Sequence, residues 1–304
     1  MKFLRASWYV LKTAALDWQR DGAPRLGAAI SYYAIFSIAP LLVIAIAISG
    51  SVYGEQAAKG EVFEQVNRLL DNEAAAHAIE DLVRSAARAR TGGLATGLSF
   101  LALWFGASGV FTQIKGALDL VWEVERKPGM GLWGLFFEYA WSVGMVATVG
   151  LLLLGSLVAS SALTAAASHA EPALFASDKT LRALYWALSL GVLTVLFAAL
   201  YKLLPDVSFR WRSAWLGAVV TAALFSFGKY FIGWYLARLL IASAYGAAGS
   251  FVLLLVWTYY SAQIFLFGAE VTQVVARVLG DAVFPTERAQ FAPRAIKPDR
   301  RPEF

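Results

Sequence analysis

The chain has no cysteine, two histidines in 304 residues, and only 15% charged residues. Without cysteine there is no disulfide framework, no thiolate metal site and no cysteine nucleophile. Imidazole chemistry is left to His77 and His169, which stand 92 positions apart in hydrophilic connections. Soluble domains average about 25% charged residues, so this chain has too little charge to coat a water-soluble globule. The short motifs of hydrolytic and nucleotide chemistry are missing too: no HExxH, no GxSxG elbow, no Walker loop. Gly106-Ala107-Ser108-Gly109 is a glycine-containing turn of an apolar run rather than a phosphate loop, because no strand precedes it. No cofactor, no metal site and no enzymatic activity are implied.

Hydrophobic residues make up 59% of the chain and aromatics 14%, and the mean hydropathy is +0.60. Six apolar runs reach membrane-crossing length, which takes about 20 residues. They cover 26–52, 94–114, 133–163, 181–203, 214–241 and 249–279. None alternates with period two, so helices are expected rather than barrel strands. The first run is too long for a cleaved signal peptide, and about 25 amphipathic residues precede it. The expected fold is therefore all-α: a polytopic membrane protein with one six-span membrane domain at 26–279.

The net charge of +5 is explained by topology. With the N-terminus inside, 17 of the 26 Lys and Arg fall in cytoplasmic segments and seven outside, while Lys229 and Arg238 lie within a span. That bias places both termini in the cytoplasm, and no nucleic-acid partner is implied. Residues 1–25 read as a cytoplasmic interfacial element. Over 3–20, Leu4, Trp8, Leu11, Ala15 and Trp18 share one helical face, ringed by Lys2, Arg5, Lys12 and Arg20. The outer connection 54–93 shows two apolar stripes, Val62, Phe63, Val66, Leu69 and Leu70, then Ile79, Leu82, Val83 and Ala86. It reads as an extracytoplasmic amphipathic hairpin, either a simple lid or a docking site for an envelope partner. The tail, 280–304, carries four prolines and mixed charge and is expected to be a loosely ordered cytoplasmic extension.

Within the spans, small residues four apart let helix backbones approach. They are Gly27 and Ser31, Gly144 and Thr148, Gly155 and Ala159, and Ser213, Gly217 and Thr221. Pro40 interrupts the first span and leaves the Phe36 carbonyl without its helical donor, either as a structural kink or as a hinge beside a polar cavity. Ionisable residues in hydrocarbon cost at least ~2.5–3.5 kcal/mol. Lys229, about 16 residues into the fifth run, is expected to face the bundle interior, with Tyr259, Tyr260 and Gln263 of the sixth run at matching depth. Lys115, Asp119, Glu138, Lys202 and Glu270 form a second layer near the cytoplasmic end. They serve either as helix-end ion pairs or as an inward polar cavity.

Four stretches resemble the BrkB/YihY family of bacterial inner-membrane proteins, formerly mislabelled ribonuclease BN. They are LGAAISYYAIFSIAPLL at 26–42, GASGVFTQIKGALDLVWEV at 106–124, YKLLPDVSFRWRSAWLGAVV at 201–220 and YGAAGSFVLLLVWTYYSAQIFLFGAEV at 245–271. The resemblance implies a six-span envelope protein with both ends inside, and little about activity. Three functions are weighed. The first is a transporter-like protein moving a lipid, another amphiphile or an anionic solute, with Lys229 attracting the headgroup and Glu138 and Glu270 shaping access. The second is a non-transporting scaffold for envelope assembly. The third, a membrane-bound ribonuclease, lacks the clustered carboxylates or histidines that metal-dependent cleavage needs. Membrane lipids are the expected partners; the oligomeric state is left open.

Overall fold

The computed structural model describes residues 2–35, 109–127, 178–238 and 249–293. Pro40, Glu138, both histidines, the outer connection 54–93 and the third apolar run lie outside the described residues. Six helices are described: α1 Lys2–Arg20, α2 over 23–35, α3 over 109–121, α4 Asp178–Leu203, α5 Trp211–Arg238 and α6 Gly249–Val278. Four short strands accompany them: β1 Val124–Arg126, β2 Val207–Ser208, β3 Phe284–Pro285 and β4 Ala289–Phe291.

Helices α4, α5 and α6 form because long apolar stretches run without an internal proline. Pro205 follows the end of α4 at two residues' distance. Gly280, at φ 69°, ends α6. The Asp281 amide there donates to the Ala276 carbonyl at 2.9 Å and the Gly280 amide to the Arg277 carbonyl at 3.2 Å, the double closure that only a left-handed residue allows cheaply. Gly22, at φ 68°, makes the elbow between α1 and α2. Among the described residues, Trp186–Leu203 of α4 and Trp211–Ile232 of α5 are long and apolar enough to cross a membrane.

The central element is α6. Its residues Gly268 to Val274 are buried without a break, with α1 packed on one side and α5 on another, and α4 against α5. The main core joins Ile30, Phe111, Leu118, Phe197, Tyr201 and Leu266 from α2, α3, α4 and α6. Between α5 and α6 the small-residue stripe Ser213–Gly217–Thr221 meets a reciprocal one. A Cβ at Gly217 would overlap the Thr272 hydroxyl, and a Cβ at Gly268 would overlap that of Thr221. Each helix places its threonine into the gap left by the other's glycine, which brings the backbones close.

Two expectations change. Helix α1, expected as a separate interfacial element, exposes Trp8 and Leu11 but also docks: Ala14 and Asp17 are buried, with Ala14 packed among Val271 and Val274 of α6. The segment after α6, expected as a loose extension, is folded through Pro293. There β3 pairs antiparallel with β2 and β4 with β1, in register Ser208 with Phe284 and Glu125 with Gln290. The prolines do not prevent this, because each strand is only two or three residues long and makes a two-stranded pair with free edges.

Candidate functional site

Two polar groupings emerge. One lies where α3, the α4–α5 connection and the C-terminal strands meet. Lys115 Nζ contacts Asp119 Oδ2 at 2.7 Å and Asp206 Oδ2 at 2.5 Å, while the Asp206 amide donates to Asp119 Oδ1 at 2.7 Å. Burial works against the charge on Lys115, but Asp119 and Asp206 prevail and hold its ammonium above the usual lysine range. Burial lifts the Asp119 carboxyl above its usual range, with Lys115 opposing. Nearby, the Lys202 ammonium donates to the Phe209 carbonyl and lies 4.6 Å from the centre of that ring, which itself stacks on Trp122. Of the expected second layer, Lys115 and Asp119 are joined, and Asp206 rather than Lys202 or Glu270 completes the cluster. A fold-locking tie describes it best: two chain segments, α3 and the α4–α5 connection, share one cation.

The other grouping runs along α6. Gln263, Glu270 and Arg277 are seven residues apart, so each lies about 10 Å from the next on nearly the same face. That face is turned to the α1–α2 elbow. Gln263 Nε2 reaches the Ala23 carbonyl at 3.5 Å and lies so near Gly27 that a Cβ there would overlap it. Arg277 pairs with Asp17 of α1 at 3.5 Å and donates to Gln273 Oε1 at 2.8 Å. Asp17 also meets Arg20 at 3.6 Å. Between them Glu270 has 0% exposure. Gln263 Oε1 is buried with no hydrogen-bond partner, an acceptor that the packing leaves unused. The opposite face of α6 carries Gly268 and Thr272, and Tyr201 closes it: its hydroxyl donates to the Phe265 carbonyl at 2.8 Å and lies 3.0 Å from Thr221 Oγ1.

Lys229 stands apart from this stripe. It is half-buried, and its Nζ lies 5.3 Å from the centre of the Tyr230 ring. That ring stacks on Trp186 at 5.9 Å, and the neighbouring Phe227 is 71% exposed. Lys229 is 17 residues, about 26 Å, along α5 from Arg212 and nine residues, about 14 Å, from Arg238. Among the described residues no hydrogen bond or ion pair joins it to Tyr259, Tyr260 or Gln263. Tyr260 instead packs on Gly228, where a Cβ would come 2.8 Å from its hydroxyl oxygen, and Tyr259 is half-buried on α6. Among the described residues, no three His, Asp or Glu gather as metal ligands would.

Asp206, Tyr201, Asp17 and Arg277 were not singled out from the sequence. The 263–270–277 heptad was a signal available for Arg277; Asp206 and Asp17 are joined to their partners only by the fold.

A family model described as "Virulence factor BrkB" matches residues 14–290. Proteins described as "UPF0761 membrane protein" are similar over most of this chain. That of Verminephrobacter eiseniae is 30% identical over 276 residues, 88% of this chain and 63% of its own length. That of Alkalilimnicola ehrlichii is 29% identical over 272 residues, 85% of this chain and 56% of its own. That of Tolumonas auensis is 30% identical over 267 residues, 85% and 83% respectively. The chain thus spans somewhat over half the length of the first two. No solved structure matches.

Proposed function

The chain belongs to the BrkB family and is a mostly helical membrane protein, and on that footing we propose that it moves an amphiphile or polar solute across the bacterial inner membrane. In this reading it spans the membrane six times, with both termini in the cytoplasm, and catalyses no chemical reaction. The observation that carries it is Glu270, wholly enclosed in the central helix of a membrane protein and aligned with Gln263 and Arg277. Enclosing an ionisable group in protein costs several kcal/mol if it is charged, and such residues within membrane segments mark substrate or ion pathways. The α6 stripe under the α1–α2 elbow is then the polar path, and Lys229 is an aromatic-flanked peripheral cation. The test is reconstitution of the full chain into liposomes and measurement of lipid and solute movement. Wild type should exceed empty vesicles, Glu270→Gln should lose about tenfold or more, and Lys229→Gln should stay within about twofold. Wild-type protein that moves no candidate beyond empty vesicles removes the reading.

A second reading, a non-transporting scaffold for envelope assembly, is favoured by the opposite face of α6. The threonine and glycine exchange of α5 and α6, sealed by Tyr201, suits a rigid bundle. It requires that replacing residues 62–83 abolish function while Glu270→Gln does not, and that crosslinking recover a reproducible envelope neighbour.

A further inference from the structure

Helices α4 and α5 carry the two membrane-length apolar stretches among the described residues. Tyr201 meets Thr221 and Trp186 meets Tyr230, so the pair runs antiparallel. Around their connection stand Lys202, Arg210 and Arg212, with Trp211 and Trp215 exposed. At the other end stand Lys229, Tyr230 and Trp186. Trp186 is about 24 Å along α4 from Lys202, and Lys229 is about 26 Å along α5 from Arg212. Two helices measured separately thus put this second level at one height. The stacking of Trp186 on Tyr230, with centroids 5.9 Å apart and planes 11° apart, ties them there. Bilayer hydrocarbon is about 30 Å thick, and Lys and Arg stems carry their charge outward past their own Cα. Cations and amphipathic rings at both levels therefore mark the two edges of the hydrocarbon. Beyond the second edge, α4 begins at Asp178, about 12 Å before Trp186, and α5 runs on to Arg238, about 14 Å past Lys229. The sequence of that part of α4 includes Asp178, Lys179 and Arg182, which suits water rather than acyl chains.

Lys229 is then a headgroup-level cation rather than the mid-depth, interior one that the sequence suggested. We propose that Lys229, Tyr230 and Trp186 seat the phosphate of an anionic phospholipid in the leaflet opposite Lys202 and Arg212. The Lys229 Nζ lies 5.3 Å from the centre of the Tyr230 ring, and among the described residues no carboxylate pairs with it. An ammonium has three donors, and a ring face serves only one side of it. A phosphate oxygen supplies the charge-assisted partner. Phe227 and Phe231, one turn apart on α5 and both largely exposed, form an apolar bed for the acyl chains just below. A zwitterionic head brings its own ammonium to the phosphate and gains less from Lys229, which is why the preference is for an anionic head. This lipid is held rather than moved, so the assignment stands apart from the transport reading.

The test places a fluorophore on a single cysteine, Phe227→Cys, in the full chain reconstituted in mixed vesicles. Quenching by phosphatidylglycerol with a nitroxide near the top of its acyl chain is compared with quenching by the same chain on phosphatidylcholine. The ratio gives the relative affinity of the two lipids at that spot. It should favour phosphatidylglycerol about fivefold, the effect of one lysine at an anionic headgroup. Lys229→Gln should bring the ratio to about one and Lys229→Arg should restore it. The same fluorophore at Leu216→Cys, exposed near Arg212, reports the other leaflet, and its ratio should not respond to Lys229→Gln. A ratio near one at position 227 with Lys229 present overturns the proposal. So does a preference that survives Lys229→Gln, or one lost equally at 216, because the effect is then not local to Lys229.

Discussion

Placing a methyl group at Gly217 should be among the most damaging small changes available to this chain. A Cβ there would overlap the Thr272 hydroxyl, and it would also sit 2.8 Å from Thr272 Cβ and 3.0 Å from Thr272 Cα. Rotating the threonine removes only the first conflict, because the other two atoms are fixed to the backbone. Carbon atoms prefer a separation of about 3.5–4.0 Å, so α5 and α6 must part by roughly 1 Å along this seam. Parting them disturbs the Thr221–Tyr201 contact and the close Thr221–Gly268 approach one turn away. Overpacking of this kind costs typically 1–3 kcal/mol, and a clash against backbone belongs near the top, about 3 kcal/mol. For a chain of this size that is roughly a 5 °C fall in apparent Tm. Gly116 and Gly191 supply the comparison, since an added Cβ meets nothing within 4 Å at either. Alanine there should be neutral or gain up to about 1 kcal/mol from helix propensity. The assay is thermal unfolding of the purified protein in one detergent, followed by circular dichroism and by the soluble monodisperse fraction. Equal midpoints for Gly217→Ala and Gly116→Ala would refute the close seam.

Tyr201→Phe removes a buried hydroxyl that serves the Phe265 carbonyl and Thr221; a loss of about 1–2 kcal/mol is expected in the same melt, with no change in helix content. Lys115 should give stability a pH signature. Its folded value is raised above the ordinary 10.5, so its contribution is complete below about pH 10.5 and is lost as the pH climbs through the raised value. Wild type should therefore lose stability steeply in that alkaline range while Lys115→Met, less stable at neutral pH, changes less; parallel curves would contradict this. Arg277→Met leaves Asp17, 3% exposed, with one fewer cation, and α1 should become more sensitive to limited proteolysis, with the docking weakened by about 1–3 kcal/mol.

What could be read from the sequence was local. The runs behind α4, α5 and α6 declare themselves by length and by lack of proline, and Lys115–Asp119 and Ser213–Gly217–Thr221 by four-residue spacing. What those residues meet was not legible. Nothing near Gly217 announces Thr272, and nothing near Lys115 announces Asp206, 91 positions on. The strands at 284–291 escaped because a two- or three-residue pairing has no periodicity, and their proline and charge suggested disorder instead. Asp17 lies outside the apolar face and the basic ring of 3–20 and carries no signal of its own; its burial comes with docking against α6. The α6 stripe was visible in part. Depth along the span separates Gln263 from Glu270, whereas helical phase, at seven residues' spacing, puts both on one face.

The claim on which the functional reading depends is that water reaches this stripe. The chain has no cysteine, so single cysteines can be placed at Gln263, at Glu270 and, as a dry control, at the fully buried Leu266 without removing any background. Treating each variant in proteoliposomes with a charged, membrane-impermeant thiol reagent should label positions 263 and 270 about tenfold faster than 266. Labelling at 263 and 270 as slow as at 266 would make the seam a sealed knot and would contradict the path.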